Sequence, residues 1–367
     1  MRRRDVLAGL TAATAMPALP SWAEIGPVAY LSAVSTLDGG HFIVGLDAVG
    51  EALFETPLDG RAHAAAVHPS LARAVVCARR PGRVLDVIDC ATGRRLRTLP
   101  APDGHHFYGH AVFDDQGHRL YTTENAYRTG EGRIGIWSMD GFRRVGSVSS
   151  GGIGPHDIAL SQDGLSLIVA NGGIRTHPDT GREKLNLPTM QPKLSFIDLG
   201  SGRIWSSVEP PAELRQNSMR HLAVGPDGTV AVACQWQGEV PDVPLLALLP
   251  PDGDRLTFHE ADPLTQLRTG GYAGSVSFDA AGEHVAITCP RGNLGLIYSV
   301  AQDAFVETWS QHDVCGVAAA ATGFVATDGY GSLAFVDTAS AQIPAGKRYR
   351  QWSFDNHLVQ LRQPGAG

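Results

Sequence analysis

Basic residues are scarce in this 367-residue chain: 30 Lys and Arg stand against 37 Asp and Glu, a formal net charge of −7. Outside Arg2, Arg3 and Arg4 they form no cluster. No basic surplus is left to neutralise a phosphate backbone, so nucleic acid is not expected as a partner. Cysteine is also sparse. The five residues Cys77, Cys90, Cys234, Cys289 and Cys315 include no CxxC and are odd in number. Neither a zinc knuckle nor a disulfide framework is signalled, and buried thiols are expected. Beyond the first residues there is no long apolar run, so no stable membrane insertion is expected of the mature chain. Linear catalytic signatures are missing too: the sequence holds no GxSxG, HExxH, GxxxxGK[ST] or CxxCH. Gly151-Gly152-Ile153-Gly154 is not followed by the helical pattern that a phosphate cradle requires. Any chemistry must come from residues far apart in sequence, and a metal-activated water is one such route.

What is present begins with an address. Met1 to Arg4 is basic, Val6 to Ala18 is a weakly apolar run of small residues, and Ser21-Trp22-Ala23 suits a signal peptidase. A signal peptide over residues 1–23 is expected. Arg3 and Arg4 followed by Val6-Leu7 resemble a twin-arginine signal, which implies a periplasmic mature protein. The chain as a whole has 43% hydrophobic and only 18% charged residues, enough to bury a large core.

Six units repeat along this remainder, opening at His63, Gly109, Pro155, Arg220, Gly274 and Cys315. "PHDIALSQDGLSLIVAN" from Pro155 shows the plan: a short alternating strand, a turn rich in Asp, Gly and Ser, and a second apolar strand ending on polar residues. A third strand such as "VLDVID" or "LSFIDL" and a fourth such as "RRVGSV" follow. Four strands per unit make a propeller blade. A seventh unit is split: "VAYLSAVS", "HFIVGLDA" and "ALFETPL" supply three strands near the N-terminus, and "FDNHLVQL" supplies a first strand near the C-terminus. The expected fold is therefore all-β, a seven-bladed β-propeller over residues 24–367, closed by pairing of N- and C-terminal strands. It carries an insertion at about 172–193.

The repeat resembles that of a broad class of bacterial propellers with a YVTN-like "PHxIAxSxDGxxLxVAN" pattern. Taken together, "HFYGHAVFDDQGHRLYTTENAY", "GIGPHDIAL", "VANGGIRTHPDTGREKLNLPTMQPKLSFID" and "SMRHLAV" are similar to the bacterial family catalogued as domain of unknown function 1513. The resemblance covers nearly the whole mature chain. It implies a twin-arginine-like leader and a place beside periplasmic iron-uptake proteins of the imelysin type, hence a role near iron or haem. It implies no activity that can be assigned to particular residues.

Blade geometry indicates where a site would lie. The first strand of a blade is innermost and antiparallel to the second, so first-strand starts and second-strand ends share one face near the central channel. His63, His110, His156, His221 and His357 fall at or beside first-strand starts; Glu124, Asn125, Asn171, Gln235 and Asp328 end second strands. A single imidazole at such a place often only bonds a backbone carbonyl. Several converging neutral imidazoles suit iron, copper or another transition metal. The expected metal ligands are His110, Glu124, His156, His221 and, from an insertion folded over the channel mouth, His177. Asn125, Asn171 and Arg220 are expected to contact the bound ligand. These residues point to a periplasmic protein that binds a transition metal, iron complex or haem-related ligand and serves iron acquisition or handling. The alternatives are a metal-dependent hydrolase, lactonase or redox enzyme, and a metal-free interaction scaffold.

Overall fold

Twenty-eight strands, five 3-10 turns and one short α-helix, Pro263–Arg268, make up the regular structure of residues 20–181 and 183–361, the part that the computed structural model describes. Residues 1–19 of the expected leader and Arg182 of the insertion lie outside the described residues. The strands form seven separate four-stranded antiparallel sheets. This is the seven-bladed propeller that the repeats predict.

The local sequence explains each blade. In blade 4, Pro155–Leu160 and Ser166–Asn171 are joined through Asp163-Gly164, where Gly164 takes φ +68 and the Asp163 carboxylate accepts the Leu165 N–H at 3.0 Å. A side chain at Gly164 would be strained in that left-handed turn. Second and third strands are apolar on both faces because each sheet packs between two neighbours; all six residues of Ser166–Asn171 are buried. Fourth strands, such as Arg143–Ser149, face solvent and carry the charges. Packing between blades is exemplified by Val75, Leu85, Val87, Phe107, Leu120 and Trp137, which bury one cluster between blades 2 and 3. Each side chain of this kind contributes about 1.5–3 kcal/mol on burial.

The ring is closed in blade 1, whose inner strand is Trp352–Gln360. It pairs antiparallel with Val28–Thr36, with Leu31 opposite Val359 and Val34 opposite Phe354. The other inner strands are Ala62–Val67, His105–Phe113, Pro155–Leu160, Asn217–Val224, Ser275–Phe278 and Val314–Ala319, for blades 2 to 7 in order. Each touches the next, and the last touches blade 1. At the far end of the channel Trp22, which the expected cleavage after Ala23 would remove, is buried, and its indole N–H donates to the His68 carbonyl at 2.7 Å. All five cysteines are buried and unpaired. Among the described residues no helix is long and apolar enough to cross a membrane.

Candidate metal centre

Inner strands in six of the seven blades carry a bulge at the same level. Opposite the second strand, Pro155 and Asp157 pair with consecutive residues, so His156 is extra; likewise Met219 and His221 flank an extra Arg220. The register slips at His63-Ala64 in blade 2, at Tyr108–His110 in blade 3, at Asp355–His357 in blade 1 and at Cys315-Gly316 in blade 7. Blade 6 pairs evenly from Ser275 to Phe278. A bulge kinks the strand and re-aims its side chain. Here it turns one imidazole from each of five consecutive blades onto the channel axis.

The five rings form a strongly puckered pentagon, folded so that His110 and His357, which are not neighbours around it, also approach to 4.6 Å. Successive centroids are 4.6 Å apart for His357 and His63, 5.0 Å for His63 and His110, 5.3 Å for His110 and His156, 4.9 Å for His156 and His221, and 4.7 Å for His221 and His357. Such crowding needs space beside the backbone. Gly109 supplies it with φ +109, since a Cβ there would lie 2.6 Å from Cδ2 of His63. Two triads, His63–His110–His357 and His110–His156–His221, bring one ligand atom per residue within 4.8 Å of each other. The Nε2 atoms of His63 and His357 are 3.3 Å apart, close to the spacing of about 3.4 Å that nitrogens take around a tetrahedral ion.

Two carboxylates orient the first triad. Nδ1 of His110 lies 2.8 Å from Asp157, whose other oxygen accepts the Leu222 N–H at 2.9 Å. Nδ1 of His63 lies 3.4 Å from Asp355, which also takes Arg61 at 2.7 Å and Arg79 at 2.8 Å. Burial pushes both carboxyls up, but His110 at Asp157, and His63 with Arg79 and Arg61 at Asp355, outweigh it and hold both below the usual carboxylate range. Ionised carboxylates only accept, so each imidazole gives its Nδ1 proton outward and turns the Nε2 lone pair inward. Metal-ligating histidines are commonly backed by carboxylates in this way. Burial holds His63 down to about 4 and His156, His221 and His357 well below the usual range, so these imidazoles are neutral at neutral pH. Nε2 of His110 and both nitrogens of His221 are buried without a hydrogen-bond partner. Leaving such atoms unsatisfied costs about 1–3 kcal/mol each, which an ion would offset. The residues present therefore fit a transition metal.

The expected site residues separate into two groups. His110, His156 and His221 are in the pentagon, although His156 is different in kind: its Nδ1 is 3.3 Å from Nη1 of Arg220. Arginine can only donate, so this Nδ1 accepts and the His156 proton sits on Nε2. Glu124 is outside the cluster. Its carboxylate lies over Gly135 and runs outward along the sheet to Arg144 at 2.6 Å, with His105 at 3.0 Å. His177 is also outside it, partly exposed, accepting the Asp179 N–H and meeting Tyr127 edge-on at 5.3 Å. Asn125 anchors the insertion by donating to the Thr176 carbonyl at 3.1 Å, and Asn171 ties blades 3 and 4 through Ser150. Neither lines the cavity above the pentagon, whereas Arg220 does.

That cavity, about 220 Å³, is bounded below by His63, His156 and His221. Its walls bring in Arg79 and Arg80, which sequence reasoning did not single out. In "VVCARR" they directly follow the second strand of blade 2, Arg73–Ala78, and so leave it on the rim that the strand-end rule indicates. From the insertion, Lys184 reaches the cavity and donates to Gln237 at 2.5 Å.

The model of a family described as "Protein of unknown function (DUF1513)" matches residues 56–361. A search of curated proteins gives no match. Among solved structures, hydrazine synthase of Kuenenia stuttgartiensis is similar in fold, with a TM-score of 0.61 at 15% identity over 94% of this chain and 100% of that one. At that identity the likeness extends to the propeller alone.

Proposed function

The chain belongs to the DUF1513 family, and from that premise we propose that it is a metal-handling propeller that binds one transition-metal ion, iron or copper, through His63, His110 and His357. The observation that carries this reading is the pair of carboxylate-backed imidazoles whose Nε2 atoms face a third imidazole. When bound, the ion would supply Lewis acidity or a redox couple at the floor of the cavity. The chain's own residues orient the ligands. A cavity of about 220 Å³ favours a bare ion or small complex over a haem, since even drug-sized ligands occupy roughly 300 Å³ or more. His156, held by Arg220, faces the incoming ligand as a donor instead of joining the metal.

The leader pattern in residues 1–23 and the family resemblance support placing this activity in the periplasm, in iron acquisition beside imelysin-type proteins. Because the cavity opens directly onto the histidines, a second reading is a metal-dependent enzyme whose substrate sits there. Equilibrium dialysis of metal-free protein against cobalt(II), copper(II) or iron(II), followed by elemental analysis, tests the proposal. One ion per chain is expected, lost in His63→Ala and His110→Ala and retained in His156→Ala. Absence of binding at neutral pH, or full occupancy in both of the first two variants, overturns it. Replacing Arg3 and Arg4 by Lys tests the export route, with retention in the cytoplasm expected.

A further inference from the structure

The cavity above the pentagon has a chemistry of its own. Arg79 and Arg80 reach it from blade 2, Lys184 from the insertion in blade 4, Arg220 from blade 5 and Arg291 from blade 6. Among the described residues that line it none is acidic, in a chain whose net charge is −7. Several of these cations have protein partners. Arg79 holds Asp355, Arg291 donates to the Gly270 carbonyl and stacks on Tyr272 at 4.6 Å, and Lys184 meets only the neutral Gln237. Nε of Arg220 is buried with no partner. Gathering like charges in this way is unfavourable unless an anion answers them.

We propose that this cavity is a binding site for a small polycarboxylate of the size and charge of citrate. Guanidinium forks match carboxylates in bidentate fashion. The cations stand on four different blades around the opening instead of converging on one nest, which suits several carboxylates on one carbon skeleton better than a single tetrahedral anion. Trp236 and Tyr272 offer apolar wall for that skeleton. The anion site is carried by the cations of the cavity walls and not by the proposed metal ligands; where both sites are filled, the metal complex of the polycarboxylate is the natural cargo.

Calorimetric titration of metal-free protein with citrate, with inorganic phosphate and with uncharged triethyl citrate tests it. Citrate is expected to bind saturably, more weakly at high salt, and at least about tenfold more tightly than either comparator, as charge-assisted hydrogen bonds imply. Lys184→Gln, at an exposed position, and Arg220→Gln are each expected to weaken citrate about tenfold. His110→Ala should lose the metal yet keep citrate, which separates this inference from the metal reading. Ferric citrate binding while free citrate does not, phosphate matching citrate, or citrate affinity unchanged in Lys184→Gln and Arg220→Gln would each overturn it.

Discussion

Acidification of the metal-free protein should strip it of most of its stability above the range in which its depressed carboxylates titrate. In the native state His63 titrates at about 4 because burial disfavours its charged form, whereas in the unfolded chain it returns to the ordinary 6.5. The unfolded state therefore takes up the proton first, and stability present above pH 6.5 is lost as pH falls towards 4. Between about pH 7.5 and about pH 4.5 this one group removes about 2.5 kcal/mol, since a full proton taken up by the unfolded chain alone costs about 1.4 kcal/mol for every pH unit crossed. Burial likewise holds His156, His221 and His357 well below the usual range, so they lose stability in the same direction on acidification. Their losses are not additive, because the rings repel one another once charged. Even so, a domain of ordinary stability, about 5–15 kcal/mol, has little left at the acid end. His68 and His106, both at about 4 through burial, contribute the same sign away from the centre. The depressed Asp157 and Asp355 act only below the ordinary carboxylate pKa of about 3.9 and leave this window untouched. The assay is urea unfolding followed by the fluorescence of the six tryptophans at stepped pH, for the metal-free chain and for His63→Gln. The variant should lose up to about 1.4 kcal/mol per pH unit of slope, the equivalent of one proton. Equal stability at pH 7 and pH 5, or an identical slope in His63→Gln, would refute the reasoning.

Other consequences concern single positions. Asp157→Asn removes the charge that orients His110 and should lower metal affinity about 10- to 100-fold in competition with a chromophoric chelator, with unchanged far-ultraviolet circular dichroism. Gly109→Ala places a methyl against His63 at a backbone angle that side chains avoid; a loss of about 1–3 kcal/mol in denaturant unfolding, together with lower metal occupancy, is expected. Ending the chain after Ser353 deletes the inner strand of blade 1 and should abolish a cooperative thermal transition, and a native-like melt would show that closure is dispensable.

The fold was legible because every blade repeats the same alternation and turn, and because "FDNHLVQL" is a first strand with no blade of its own. The histidines were legible for the same reason: a repeat places equivalent positions on one face. The bulges were not. An extra residue leaves no mark in composition, yet it decides that His156 and the residue after Arg220 both reach the axis from different registers. Glu124 shows the limit of strand-end logic. It ends a second strand as expected, but Gly135 on the next strand leaves a groove through which its side chain runs outward to Arg144. Asp355 was hidden because its partners Arg61, His63 and Arg79 are nearly three hundred residues away. Arg79 and Arg80 were readable in principle, since they directly follow a second strand and so leave it on the same rim as Asn125 and Asn171.

The strand that closes the ring also sets a timetable. Trp352–Gln360 follows every other strand in the chain, and it brings both His357, which completes the pentagon, and Asp355, which fixes the proton on His63. While the ribosome is still working, blades 2 to 5 can present four imidazoles but no closed cage, and His63 has no carboxylate to hold its tautomer. An ion met by such a nascent chain would find loose ligands instead of a finished socket. On the proposed metal reading, loading would thereby be deferred until synthesis has passed this strand and the circle has shut, and a filled centre would mark a molecule whose ring is closed.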